Sequence, residues 1–526
     1  MVSADSDERL SRGAALLEWI KQEGGDVDAV RVGKGPGGVG VFAARDVKRG
    51  ESFFRCPLSC LMRATDAKTG ASGDDDDDDP EFKSFVRALD ALKVNGTPID
   101  DRVRLQLHLL NECRRGAKSR WEPYIASLPG DELVANLPIS WDDETLTRLL
   151  QHTPMHGKVK EDKERLRRLS RSLAKDSKAF PLKFFGADRL LWAHAVYWSR
   201  AIRLKLPGGG FSSSTGDGKT DCLVPLLDSC NHEWRSRHET GRSHGTQSKP
   251  TMYTLDAGID VTAGDELCIN YGMKDNGELL TSHGFVVREH AKFDFTYLKL
   301  HEMPCAARVE RWVERLEAVR KVVGAKKGSH AEVNFQSSVH DGVVAGMFVP
   351  VAIAVARVLC APSDSDRYDR AMRYLKRGCY YYESEDLGGL GVEGWNLRAL
   401  ARAAWRELDA CFHVNGIAKS LGDGEVGGAR GEAWESTPGA GAVDACALYV
   451  KTQMKLLRDA MGTERDEEEP KVGILGEKRE RDDESSDSDI WDHVSDGTGS
   501  GSREDDCGED DELYEKIADL PPRGWW

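Results

Sequence analysis

Asp228-Ser229-Cys230-Asn231-His232 follows the apolar run Leu223-Val224-Pro225-Leu226-Leu227, and further along Ile269-Asn270-Tyr271-Gly272 leads through Asn276, Glu278, Leu279 and Leu280 to His283-Gly284-Phe285-Val286. An Asn-His pair thus leaves one apolar strand, and a Tyr-Gly pair leaves another, Glu266-Leu267-Cys268-Ile269-Asn270. Polar side chains at the end of an apolar strand emerge at the rim of a core, on loops that carry binding and chemistry. Taken singly, an Asn-His pair is an ordinary loop terminus and Tyr271 an ordinary packed tyrosine at a strand end. Their order along the chain gives them weight.

Working upstream, Lys34-Gly35-Pro36-Gly37-Gly38-Val39-Gly40 precedes Val41-Phe42-Ala43-Ala44. A glycine-rich turn can lay backbone amides against a phosphate. A dinucleotide fold would need a long helix directly after it and an acid about 20 residues on. A strand follows instead, so the segment reads as a strand-to-strand turn whose bare backbone can lie against a flat ligand. Val30 to Val32, Gly40 to Ala43, Ser52 to Phe54 and Leu58 to Met62 read as strands. From about residue 82 to 220 the period turns helical, with an N-cap expected at Ser140 for Asp142–Leu150 and a helix through Leu191, Ala195, Trp198 and Ile202. Strands return at 223–227, 251–255 and 266–270. An N-terminal helix over residues 10–22 would face inward with Leu10, Ala14, Leu17 and Trp19/Ile20.

Beyond residue 300 the pattern is helical again, for example Leu397, Leu400, Ala401, Ala404, Leu408 and Cys411, and Ala447, Val450, Met454, Leu457 and Met461. The expected architecture is α+β: an N-terminal helix (1–26), a β-rich domain (27–299) split by a helical insertion, an all-helical domain (300–463) and an acidic tail (464–526).

The formal charge of −16 comes from two places. Residues 464–513 carry 21 acidic and 6 basic residues, and Asp74 to Asp79 form an unbroken acidic run. The acidity therefore belongs to segments expected to stay unfolded, and the rest of the chain is weakly basic. No basic stripe interleaved with aromatics appears, so nucleic acid is not an expected partner. The charged stretch Lys158 to Arg171 reads as a solvated helix face. Twelve cysteines lack any Cys-x-x-Cys pair, which fits a reduced intracellular protein, cytoplasmic or nuclear, with no metal site. The longest apolar run, Val343 to Ala356, is broken by Pro350 and too short to span a bilayer, so no membrane is expected.

The residues together resemble the SET-domain protein methyltransferases, in the subgroup that resembles Rubisco large-subunit lysine methyltransferase. Gly38 to Val47 is similar to the family's opening glycine motif. Ser119-Arg120-Trp121-Glu122-Pro123-Tyr124 through Pro129 is similar to a segment of the subgroup's helical insertion, and Trp198-Ser199-Arg200 to its helix-borne arginine. Asp228 to His232 and Tyr271 to Val286 resemble the two closing motifs. The resemblance implies a SET fold whose final Gly-Phe segment threads a pseudoknot, a rare exception to unthreaded topology, followed by a helical substrate-binding domain.

It also implies roles. Gly38, Val39, Gly40, Glu51, Ser52 and Phe53 would hold S-adenosylmethionine, with Arg200 on its carboxylate, Asn231 and His232 on the amino-acid end and adenine, and Phe285 packed beneath. Tyr271 would align the acceptor. Asp228, Ile202 and His283 would border the substrate, His283 standing where the family usually has tyrosine. The expected activity is N-methylation of lysine in a non-histone protein. Histidine methylation on the same fold and a catalytically silent peptide adaptor are the alternatives.

Overall fold

The computed structural model describes residues 2–35, 37–68, 79–204, 219–246, 249–298, 311–323, 342–344, 347–348, 350–360, 366–377, 392–414 and 440–461. The acidic run at 74–78 and the tail after 461 lie outside them. The chain forms two compact units, one of Met1–Asp294 with Arg406–Lys455, the other of Phe295–Trp405 with Leu456–Trp526.

In the first unit, α1 (Val2–Gln22) leads to strands β1 (Val30–Gly35), β2 (Gly38–Ala43), β3 (Ser52–Pro57) and β4 (Met62–Arg63). The helical insertion then runs through α2 (Pro80–Ala91), the small hairpin β5 (Lys93–Val94) and β6 (Thr97–Pro98), α3 (Asp101–Arg115), α4 (Glu122–Ser127), α5 (Asp131–Ala135), α6 (Asp143–Leu150), α7 (Pro154–Leu173), α8 (Leu182–Phe185) and α9 (Ala187–Arg200). Strands resume with β7 (Ile202–Leu204), β8 (Thr220–Leu223), β9 (Glu239–Thr246) and β10 (Lys249–Asp256), and α10 (Asn276–His283) follows. The strands make small antiparallel sheets in the orders β1-β2, β3-β10-β9 and β4-β8-β7. Thus β3 and β4, from before the insertion, pair with β10 and β8 from after it. The helices between β4 and β7 are thus an excursion between strands that pair with one another.

Packing explains the local departures. The buried face of α1 is Gly13, Leu16, Trp19 and Ile20, with Ala14 exposed. Gly13 is needed because a Cβ there would lie 2.6 Å from Val32 Cγ1 on β1. The cap of α6 is Asp142, not Ser140: its carboxylate accepts from Thr145 N at 2.6 Å, a charged acceptor facing the positive end of the helix dipole. Leu58–Cys60 is a 3-10 turn rather than a strand. Strand β8 ends at Leu223, because Leu226 adopts φ +71° with its side chain fully buried. A non-glycine residue holds such a conformation only where the surrounding core over-determines it. This turn swings Asp228 and Asn231 out of the strand direction.

The core of this unit is continuous. Leu16 and Ile20 of α1, Phe53 and Phe54 of β3, Leu105 and Leu109 of α3, Trp192 and Val196 of α9, and Leu223, Val224, Leu226 and Leu227 belong to one cluster. In the second unit, β11 (Phe295–Tyr297), β12 (Gly342–Val344) and β13 (Met347–Phe348) form one antiparallel sheet, beside α11 (Trp312–Val323), α12 (Pro350–Cys360) and α13 (Asp366–Arg377). Ala352, Val355, Val358 and Leu359 of α12 are buried. Arg315 of α11 donates to the carbonyls of Val358 and Leu359 at 3.3 and 3.1 Å, satisfying orphan acceptors in the last turn of α12. Helices α14 (Val392–Val414) and α15 (Ala440–Met461) complete the described chain. Among the described residues no helix is long and apolar enough to cross a membrane.

Candidate active site

The β1-β2 hairpin pairs Gly35 with Gly38 and Gly33 with Gly40. Gly38 has φ +100°, a region L residues avoid. Gly40 is bare for a different reason. A Cβ on it would stand 2.8 Å from Asn231 Nδ2 and 2.7 Å from Glu266 Oε1, and one on Gly37 would stand 3.1 Å from the same Asn231 nitrogen. The glycine turn therefore lies directly against the Asn-His corner.

That corner is tied to the Tyr-Gly segment mainly by backbone. Ile269 N donates to Asn231 O at 2.9 Å, and Glu233 N donates to Ile269 O at 3.1 Å. The two stretches touch as a parallel bridge at His232 and Ile269, where an independent strand 266–270 was expected. Asn231 Nδ2 donates to Glu266 Oε1 at 2.6 Å, a charge-assisted bond across 35 residues of sequence. Tyr271 is held at both ends. Its amide donates to His232 Nδ1 at 3.2 Å and its hydroxyl to Cys230 O at 2.8 Å. Burial raises the Tyr271 phenol above its ordinary range, with the Arg200 cation opposing, so the group is neutral in the physiological range.

Aromatic rings close the cluster. The His232 ring lies 5.0 Å from Tyr271 and stacks on Phe285 at 6.0 Å, while His283 lies 4.7 Å from Tyr271 and 5.8 Å from Phe285. The Gly-Phe segment is fixed by Asn276 at the start of α10. Asn276 donates from its amide and side chain to Asp294 at 2.6 and 2.9 Å, and its Oδ1 accepts from Val287 N at 2.8 Å. Gly284, at φ +79°, caps α10 and turns the chain into Phe285. Burial, with the nearby Lys274 and Arg200 charges, drives His283 well below the ordinary imidazole range, so it is neutral. Its Nε2 is out of solvent and has no hydrogen-bond partner among the described residues.

Arg200 and Asp228 form the adjoining polar floor. Arg200 Nη1 donates to the Asp228 carbonyl and lies 3.8 Å from Asp228 Oδ1. Asp228 Oδ2 accepts from the buried Tyr124 hydroxyl at 2.5 Å. Burial raises the Asp228 carboxyl, and Arg200, Tyr124 and Ser229 counter that rise. Among the described residues, buried Arg200 Nε has no hydrogen-bond partner.

The structure thus gathers Gly38, Val39, Gly40, Arg200, Asp228, Asn231, His232, Tyr271, His283 and Phe285. The other expected site residues sit differently. Glu51 is exposed in a turn, accepting from Lys48 N at 2.9 Å and facing Arg45 at 3.6 Å. Ser52 donates to Asp256 Oδ1 at 2.6 Å, and buried Phe53 meets the His238 ring edge-on at 4.8 Å. Ile202 heads β7 opposite Cys222. Three participants escaped the sequence reading: Glu266, Tyr124 and His290. Tyr124 stood in a quoted motif, but its partner Asp228 lies 104 residues away. Nothing local marked Glu266 or His290.

No protein-family model matches the chain. Among curated proteins, the actin-histidine N-methyltransferases of Dasypus novemcinctus and Mus musculus are each 26% identical over 284 residues, covering 51% of this chain and 42% and 41% of theirs. That of Homo sapiens is 25% identical over the same length. The match spans less than half the length of these relatives. Among solved structures, the SET domain of LSMT bound to lysine and AdoHcy aligns with TM-score 0.56 at 16% identity, covering 86% of this chain and 90% of that one. Rubisco LSMT bound to AdoMet aligns with TM-score 0.53 at 16% identity. The fold is therefore the SET-domain fold in its LSMT-like form.

Proposed function

We propose that this chain is an S-adenosylmethionine-dependent protein N-methyltransferase whose acceptor is a lysine side chain of a non-histone protein. The observation that carries the reading is the convergence of the Gly37–Gly40 turn, the Asn231-His232 corner and the Tyr271 phenol. The residues fit the cofactor. Arg200 keeps a buried Nε with no partner among the described residues, suited to a carboxylate, and the glycine turn presents bare backbone beside Asn231. Solved LSMT structures of the same fold hold AdoMet and AdoHcy. When bound, S-adenosylmethionine supplies a sulfonium methyl open to in-line attack by a neutral nitrogen.

The chain's own residues do the rest. The Tyr271 proton is committed to Cys230 O, so its oxygen offers only lone pairs. An acceptor amine must therefore bind by an N–H, which fixes the direction of its nitrogen lone pair. Free lysine has a pKa near ~10.4. A site walled by His232, His283 and Phe285 rings, with Arg200 close by, disfavours the ammonium form. Alignment supplies most of the acceleration, with effective molarities on the order of 10⁵ M for well-oriented pairs.

Histidine is the second reading, favoured by the actin-histidine N-methyltransferase activity of the sequence relatives. A neutral imidazole would need no comparable pKa shift. The full chain, incubated with labelled S-adenosylmethionine and paired lysine- and histidine-bearing protein substrates, decides between them by mass spectrometry of the modified residue. Methyl on lysine supports the proposal, and methyl on histidine overturns the acceptor assignment. Failure to bind S-adenosylhomocysteine in a calorimeter would leave only the adaptor alternative.

A further inference from the structure

We propose that His290 is a positioning residue that holds the Tyr271 turn in place by fixing the tautomer of His232. His290 is fully buried and 58 residues from His232, yet their Nε2 atoms are 3.2 Å apart. Its other nitrogen, Nδ1, is 2.6 Å from the Lys274 carbonyl. A carbonyl only accepts, so Nδ1 of His290 carries the proton and its Nε2 is the acceptor of a neutral ring. His232 must then donate from Nε2, which leaves its Nδ1 with a free lone pair. The Tyr271 amide donates to that lone pair at 3.2 Å.

The three bonds form one directed chain, in which each proton assignment forces the next. It begins at Tyr271 and ends at Lys274, so two imidazoles staple both ends of the turn that carries the phenol. With the opposite tautomer, His232 would point an N–H at the Tyr271 N–H, and the turn would lose its anchor. The rings of Trp234 and Phe293 hold His290 edge-on, at 5.1 and 5.6 Å. Burial is the largest of the causes that lower the His232 pKa, in keeping with the neutral His232 ring that the geometry assigns. Only the effect on turnover rests on the proposed methyl transfer; the tautomer stands by itself.

The test uses the full chain labelled with ¹⁵N-histidine, alongside H290F and H290Q. Glutamine offers an acceptor to His232 and a donor to Lys274 but cannot titrate. In the wild type, the His232 signals should show Nε2 protonated and Nδ1 bare. H290F should mix the tautomers and lower kcat by about tenfold or more through misplacement of the phenol. H290Q should restore both the tautomer and most of kcat. A protonated Nδ1 on His232 in the wild type overturns the proposal, as does H290F with wild-type tautomer and kcat. Should H290F not fold, H290Q decides: a folded H290Q with H290F-like tautomer mixing refutes it. Absence of any methyl transfer would sink the proposed function while leaving the tautomer result to judge His290.

Discussion

Replacing Gly40 by alanine tests the convergence on which the functional reading stands. The new methyl would lie 2.7 Å from Glu266 Oε1 and 2.8 Å from Asn231 Nδ2, between the two ends of a 2.6 Å hydrogen bond. Both atoms end side chains that can swing aside, so the strand itself need not shift. The cost is the bond. A hydrogen bond to a charged group contributes about 1.5–3 kcal/mol, and partial exposure of both residues places this one near the lower end. We expect a stability loss of about 1–2 kcal/mol in urea denaturation. If Asn231 orients the cofactor, its displacement should weaken binding about tenfold, which corresponds to about 1.4 kcal/mol. Calorimetry with S-adenosylhomocysteine measures this. Gly38→Ala is the matched control: nothing lies within 4 Å of its Cβ, and φ is +100°, so it pays only backbone strain of about 1–3 kcal/mol. Wild-type affinity and stability in Gly40→Ala would refute the reasoning, because the turn could not then lie against Asn231.

Tyr271→Phe should lower turnover on the order of 10²-fold, the usual effect of removing one oriented hydrogen-bonding group, while leaving cofactor affinity nearly unchanged by calorimetry. Tyr124→Phe strips a partner from the buried Asp228 carboxylate and should cost about 1–3 kcal/mol in urea denaturation. Asp275 and Asp294 are raised by burial to about 7 and about 6. From near ~3.9, the ordinary aspartate value, up to those pKa values the folded state binds more protons than the unfolded, so these groups make stability fall as pH rises. Asp275→Asn keeps a side-chain cap for the Glu278 amide. The stability difference between this variant and wild type should therefore grow in the variant's favour from pH 5 to 8. A difference that stays flat would show that Asp275 titrates normally.

Part of the geometry of the candidate site is legible in the sequence. The Lys34–Gly40 stretch reads better as a strand-to-strand turn than as a phosphate loop, since a strand and not a long helix follows it. The Asn231-His232 and Tyr271-Gly272 pairs, ending apolar runs, pointed to a shared rim. These are local signals, set by side-chain period and backbone freedom within a few residues. Local signals also misled. Residues 266–270 have strand composition but pair only through isolated bridges at Glu266 and Ile269, and the apolar run 223–227 breaks at the strained Leu226.

What the chain alone settled was therefore the kind of elements and the order of the motifs. Only the tertiary structure decided which polar groups meet: Tyr124 with Asp228, Asn231 with Glu266, His232 with His290, across 104, 35 and 58 residues. A buried donor takes whichever acceptor the packed core brings within about 3 Å. That choice is made by the closure of the whole unit, and no window of sequence contains it.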